Sequence, residues 1–182
     1  MLRREDERLV TGHGRYTADW NLPGQLHAAF LRADRAHAEI MRIDASHALA
    51  HAGVRAVLTG EDARAAGFKS LPNVVNYPGK DGQAMKKPLH PVLAIGRVRF
   101  VGEAIAMIVA DTLAAAEDAR ELIEIEYRDL PVAATFDAAL ASGAPQLHAD
   151  VPGNLAMEFE SGDAQAVADR KSTRLNSSHV SE

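Results

Sequence analysis

The sequence predicts an α/β (α+β) fold, with short strands and short helices intermingled. Three observations predict it. Ala104–Ala110 reads AIAMIVA, apolar at every position, the mark of a central strand covered on both faces. Other stretches of strand length alternate with short Ala-rich stretches of helical period. Two of those stretches stop on a glycine, Gly53 and Gly67, where a helix end takes a left-handed residue.

Taken in order, residues 1–25 read as an extended, loop-rich segment punctuated by Gly12, Gly14 and the Leu22-Pro23-Gly24 turn. Leu26–Leu31 and Ile40–Ile43 are strands, followed by a helix over Ala45–Ala52. Val54–Leu58 is a strand and Glu61–Ala66 a helix. Residues 69–91 have no period and hold Pro72, Pro78, Gly79, Gly82, Pro88 and Pro91, so they form a long irregular loop. Arg97–Phe100 alternates charged and apolar side chains, as a half-buried strand does. Burying each Ile or Val of Ala104–Ala110 is worth about 1.5–3 kcal/mol, which makes it the expected centre of the core. Asp111 is the expected helix cap, and Ala115, Ala119, Leu122 and Ile123 fall on one helical face. Ile123–Tyr127 alternates strictly and is a strand with one wet face. Phe136–Ala141 is a short helix, Asn154–Phe159 a strand, and Ala164–Ala168 opens like a helix.

Composition bounds the function. The 182 residues hold one substantial core, and 47% hydrophobic with 25% charged residues is ordinary for a globular protein. The net charge of -5 argues against a nucleic-acid binder, which needs a basic stripe. With no cysteine, the chain has no disulfide, cysteinyl iron–sulfur cluster or thiol nucleophile, in keeping with a cytoplasmic location. No segment reaches the length of a membrane span, and no apolar run follows Arg3-Arg4 to make an export signal.

Several residues invite a chemical reading. His47 and His51, four apart, can share a metal, but the first His is followed by Ala48 where a zincin has Glu. The alternative is two surface histidines. Gly12-His13-Gly14 is a fragment of a dinucleotide loop whose third glycine is replaced by Thr17, so a backbone turn is the other reading. Glu103 stands beside Gly102 at a strand entry, either as a catalytic carboxylate or as part of a bulge. Glu124 and Glu126 share the wet face of their strand, and Lys86 and Lys87 form a small basic patch. No serine sits in an elbow motif, and nothing here assembles an active site.

The order of motifs says more than any one of them. Arg3-Arg4-Glu5-Asp6, Thr11-Gly12-His13-Gly14-Arg15-Tyr16 and Leu22-Pro23-Gly24-Gln25-Leu26-His27 come first. Ala36-His37-Ala38-Glu39-Ile40, Gly53 to Gly60, Val98 to Glu103, Ala116 to Ala119, Glu121 to Tyr127 and Leu130-Pro131-Val132 follow. This series resembles the N-terminal α/β hammerhead domain of the molybdopterin-binding large subunit of molybdenum hydroxylases, the family of xanthine dehydrogenase, aldehyde oxidase and aerobic carbon monoxide dehydrogenase. The resemblance implies a hammerhead with a mixed sheet and short helices over 26–150, and the truncated start of the first molybdenum-binding domain over 151–168. It implies a parent oxidoreductase that hydroxylates a heterocycle, aldehyde or similar small substrate with water-derived oxygen. The parent would use a molybdenum–pterin cofactor, with iron–sulfur clusters and FAD on partner chains or domains. The catalytic and pterin-contacting residues of the family belong to later domains, so no catalytic, cofactor-binding or metal residue is assigned here. The remaining readings are a free-standing hammerhead that binds a partner, and a small metal-dependent enzyme built on His47 and His51.

Asp169 to Val180 reads DRKSTRLNSSHV, contiguous and in one frame with the translation of a common short-read sequencing adapter. The expectation is that residues 169–182 are disordered, that the gene is left near Ala168, and that the rest is the N-terminal part of something longer. A natural disordered C-terminus, polar and rich in Ser and Arg, is the alternative.

Overall fold

A computed structural model describes residues 3, 5–163 and 165–170. The tail reading falls mostly on residues 171–182, which lie outside the described residues. The chain divides into two compact units, one of residues up to 69 with 91–131, the other of 70–90 with the described residues from 132 onward.

The first unit is built on two three-stranded sheets, and every described pairing in them is antiparallel. The first has the order β1 (His27–Arg32), β5 (Ala104–Ala110), β3 (Val54–Thr59). The second has the order β4 (Arg97–Val98), β2 (Ala38–Asp44), β6 (Glu124–Asp129). The expected mixed sheet is therefore resolved into two smaller ones, within the α/β class that the sequence predicts. As expected, β5 is central, and Ile105, Ala106, Ile108 and Ala110 are fully buried.

Among the described residues, four α-helices belong to this unit. They are α1 (Asp6–Val10), α2 (Ser46–Ala50), α3 (Gly60–Ala65) and α4 (Leu113–Arg120). Ala116 and Ala119 of α4 and Ala48 of α2 pack on Ala29, Ala106, Ile108 and Ala110 to form one core cluster. A second cluster joins Ala33, Ala38, Ala94, Val98 and Ile105. Ile43 and Ile125 lie against both clusters and tie the sheets together.

The structure corrects several element readings. Residues 1–25 are not all loop, since α1 and a 3-10 turn at Thr17–Asp19 lie there. Asp111 does not cap α4. Thr112 does, its side chain accepting from the Ala115 N–H at 3.1 Å, because Asp111 is taken by Arg55. The helix ends at Arg120, so Leu122 turns outward at 40% exposure, and Ala116 takes the buried place expected of it. The strand over Arg97–Phe100 is only β4, because the Arg99 N–H leaves the ladder for Glu103.

In the second unit, residues 70–90 are irregular, with a 3-10 turn at Lys80–Gly82 and one isolated bridge between Pro78 and Ala84. α5 (Phe136–Leu140) is capped by Thr135, which accepts from the Ala138 N–H at 3.2 Å. Asn154–Phe159 is not a strand. Its carbonyls at Ala156 and Glu158 accept from the Lys86 and Lys80 N–H groups at 2.9 and 2.8 Å, without forming a ladder. Asn154 pins the segment, donating to the Ala139 and Pro145 carbonyls and accepting from the Leu147 N–H. Residues 165–170 are helical.

Candidate functional site

Glu103 is the buried carboxylate of the first unit, 6% exposed at the entry to β5. Its Oε2 accepts from the Arg99 N–H at 2.6 Å. Its own N–H donates to the Phe100 carbonyl at 3.3 Å, closing a tight turn. Gly102 holds that turn at φ +91°, where an L side chain is strained. The turn is bolted to the end of β1. Ala33 donates to the Glu103 carbonyl and accepts from the Gly102 N–H, both at 2.8 Å, and Arg32 donates to the Gly102 carbonyl at 2.9 Å. Every described contact of Glu103 is internal, so the geometry supports the bulge reading.

His47 and His51 do not share a helical face, as the metal-pair alternative would need. The helix stops at Ala50, and His51 is extended at φ -69° and ψ 140°, so the shared helical face is not made. His47 is exposed, whereas the Nδ1 of His51 is buried without a hydrogen-bond partner among the described residues. Gly12-His13-Gly14 is the exit of α1. The His13 N–H donates back to the Arg8 carbonyl at 2.8 Å, Gly12 has φ +73°, and only a three-residue 3-10 turn at Thr17–Asp19 follows, not the α-helix that receives a phosphate. Lys86 and Lys87 reach carbonyls, Leu155 at 3.4 Å and Asn73 at 3.3 Å, rather than standing together for an anion. Glu124 and Glu126 are exposed on β6, on the wet face as read.

Three arrangements escaped the sequence reading. Glu39 on β2 is bracketed by Arg97 of β4 at 3.0 Å and Arg128 of β6. The Arg128 and then the Arg97 hydrogen bonds hold its carboxyl below the ordinary value. Arg55 and Asp111 make a two-pronged pair, both N–H···O distances 2.8 Å, and Arg55 lowers the Asp111 carboxyl by hydrogen bonding. His37 is 5% exposed. Its Nδ1 lies 2.8 Å from the Pro131 carbonyl, while its Nε2 is buried without a partner among the described residues. The partners lie 58, 89, 56 and 94 residues apart in sequence, so only strand register could reveal them.

Among the described residues no three His, Asp or Glu side chains gather as metal ligands. A cleft of about 90 Å³ in the second unit is lined by Gly79, Lys80, Lys86, Met157 and Glu158. Small-molecule pockets run to roughly 300–1,000 Å³. These residues do not fit a metal–pterin group, and no chemical step passes through one here.

The family model for the aldehyde oxidase and xanthine dehydrogenase a/b hammerhead domain matches residues 11–131, both sheets included. The chain belongs to that family. Its hammerhead is 40% identical over 140 residues to the 6-hydroxypseudooxynicotine dehydrogenase complex subunit gamma of Paenarthrobacter nicotinovorans, covering 77% of this chain and 17% of that protein. It superposes on quinoline 2-oxidoreductase from Pseudomonas putida 86 with a TM-score of 0.68 and 43% identity, covering 79% of this chain and 18% of that one. For CO dehydrogenase from Oligotropha carboxidovorans the TM-score is 0.74 at 32% identity, over 93% of this chain and 21% of that one. The hammerhead chain thus spans about a fifth of the length of these three relatives.

Proposed function

We propose that this chain is the N-terminal part of the large subunit of a molybdenum hydroxylase. The parent would be an oxidoreductase that hydroxylates a heterocycle, aldehyde or similar small substrate. One observation carries the reading: the hammerhead match over 11–131 lies within relatives whose names are dehydrogenases and oxidoreductases of such compounds. In the complete enzyme a molybdenum–pterin cofactor supplies the oxidation, and iron–sulfur and flavin chains or domains carry electrons away. The remaining molybdenum-binding domains are the immediate neighbours of this part, with residues 151–168 leading into the first of them. We place the complete enzyme in the cytoplasm, a location in keeping with a chain that has no cysteine to oxidise.

Within that enzyme, these residues are architecture. What supports this is the site chemistry above: Glu103, Glu39, Asp111 and His37 are each engaged with the fold itself. The test is recovery of the complete gene, followed by metal analysis and turnover. Molybdenum and substrate oxidation are expected in the complete subunit with its partners, and neither in the 182-residue chain supplied with cofactor. Turnover by the short chain would overturn the proposal, and a native stop codon after residue 182 would favour a free-standing binding module.

A further inference from the structure

β5 is apolar on both faces, yet the helix residues of the first core cluster, from α2 and α4, lie on one of them. Residues directly opposite in an antiparallel ladder point to the same side. Ala29, Val57, Ile108 and Ala110 therefore face α2 and α4, in the first core cluster. The opposite face carries two cross-strand rows, Phe30–Met107–Leu58 and Ala28–Val109–Ala56. Phe30 is 40% exposed and Leu58 37%. Ala28 is exposed, and Ala56, Met107 and Val109 are half-buried.

Neither row holds a charge. The second sheet shows what this chain does with a face meant for water. Its outward positions carry Glu39, Arg97, Glu124, Glu126 and Arg128. A one-sided antiparallel sheet alternates apolar and polar residues, as β6 does, and β5 does not. At the rim, the Arg32 guanidinium stands 5.9 Å from the Phe30 ring centroid and donates to the Gly102 carbonyl.

We propose that this face of the β1–β5–β3 sheet is the docking surface for the rest of the same large subunit, which lays an apolar surface over Phe30, Leu58 and Met107. The proposal rests on the function proposed above. Its choice of occupant follows from length and charge. About four-fifths of each of the three relatives compared above has no counterpart in this chain, so ample polypeptide is available to supply the cover. Contacts that never separate resemble a core cut in half, and a face without charge is of that kind.

Methionine footprinting tests it, because oxidation follows exposure of the thioether. The 182-residue chain and the complete large subunit are treated with dilute peroxide, and Met107 oxidation is read by peptide mass spectrometry against an added reference peptide. The expected result is a Met107 rate about five-fold or more slower in the complete subunit. Equal rates would overturn the proposal. So would shielding in the short chain that vanishes on dilution and does not grow in the complete subunit, since the face would then join two copies. L58K is expected to leave the melting temperature of the short chain unchanged and to lower that of the complete subunit by several degrees. Molybdenum content and turnover are measured separately. An inactive, molybdenum-free subunit with Met107 shielded would sink the proposed function and leave this interface standing. An active one with Met107 open would sink the interface alone.

Discussion

Glu103 shows how a carboxylate in a suggestive place can be engaged by the backbone beside it. It stands beside a glycine at a strand entry, where a catalytic acid would also sit. Yet its Oε2 receives the Arg99 N–H at 2.6 Å, and the turn around it grips Ala33. Glu103→Ala removes that acceptor from a part-buried N–H, at a cost of about 1–3 kcal/mol. In the complete enzyme proposed above, the variant is expected to melt earlier while turnover per bound molybdenum stays unchanged. A loss of turnover with normal melting would make Glu103 chemical after all. Gly60 is a second position where one atom decides. A Cβ there would lie inside contact distance of the Ala94 carbonyl and 2.9 Å from the Ile95 Cγ1. Backbone cannot swing aside as a side chain can. Gly60→Ala is expected to cost about 1–3 kcal/mol or more by overpacking, read as a lower melting temperature. These two positions differ in legibility. Glu103 announced itself by its neighbours in sequence, whereas the Gly60 constraint comes from residues 94 and 95, which only the folded chain brings near.

At the scale of elements, local chemistry made most of the helices and strands readable. α3 is legible from its stop at Gly67, and its start carries a further local signal. Thr59 accepts from the Asp62 N–H, and the Asp62 carboxylate accepts from the Thr59 N–H at 2.8 Å, a capping box written in four consecutive residues. The Thr59 hydroxyl, donating to the Asp62 carboxylate at 2.7 Å, and then the Thr59 N–H hold the Asp62 carboxyl below its ordinary value. Thr59→Ala is expected to destabilise the chain by about 1 kcal/mol, measured by urea denaturation, with Thr59→Ser recovering most of the loss. The misread elements share one cause, competition from distant partners. Asp111 has the chemistry of a cap, but a two-pronged arginine fifty-six residues away outbids a backbone amide. Arg97–Phe100 has the alternation of a strand, but the Glu103 turn takes the Arg99 N–H. Asn154–Phe159 has strand composition, but the loop of prolines and glycines beside it gives two backbone bonds and no ladder. α1 went unread for a different reason: it buries nothing, so no apolar period marks it, although Asp6 and Glu7 in its first turn and Arg8 in its last suit the helix dipole.

For the molecule as a whole, stability concentrates in the β5 layer and pH response in its ion pairs. Ile108 is fully buried at the centre of the first cluster, and Ile108→Ala is expected to cost about 2–5 kcal/mol. The pH response follows from groups spread over both sheets. Glu39, Asp44, Asp62 and Asp111 all sit below their ordinary values, through Arg128 and Arg97, the Ser46 N–H, Thr59 and Arg55 respectively. A carboxyl depressed by folding contributes stability that is present above its unfolded value and is lost as pH falls through the folded one. Tyr127 is shifted the other way, raised first by burial and then by Asp34. Its contribution is present below its unfolded value, about 10, and is lost as pH rises through the folded one. The melting temperature should therefore form a plateau around neutral pH and fall on both flanks. The acid flank separates this account from a general loss of charge balance. Asp111→Asn keeps the shape but removes the ionised partner of Arg55. It is expected to melt below the parent chain at pH 7, and the two curves should converge as acid protonates Asp111 in the parent. Parallel curves down to the acid limit would mean that the Arg55 pair contributes nothing that protonation can remove.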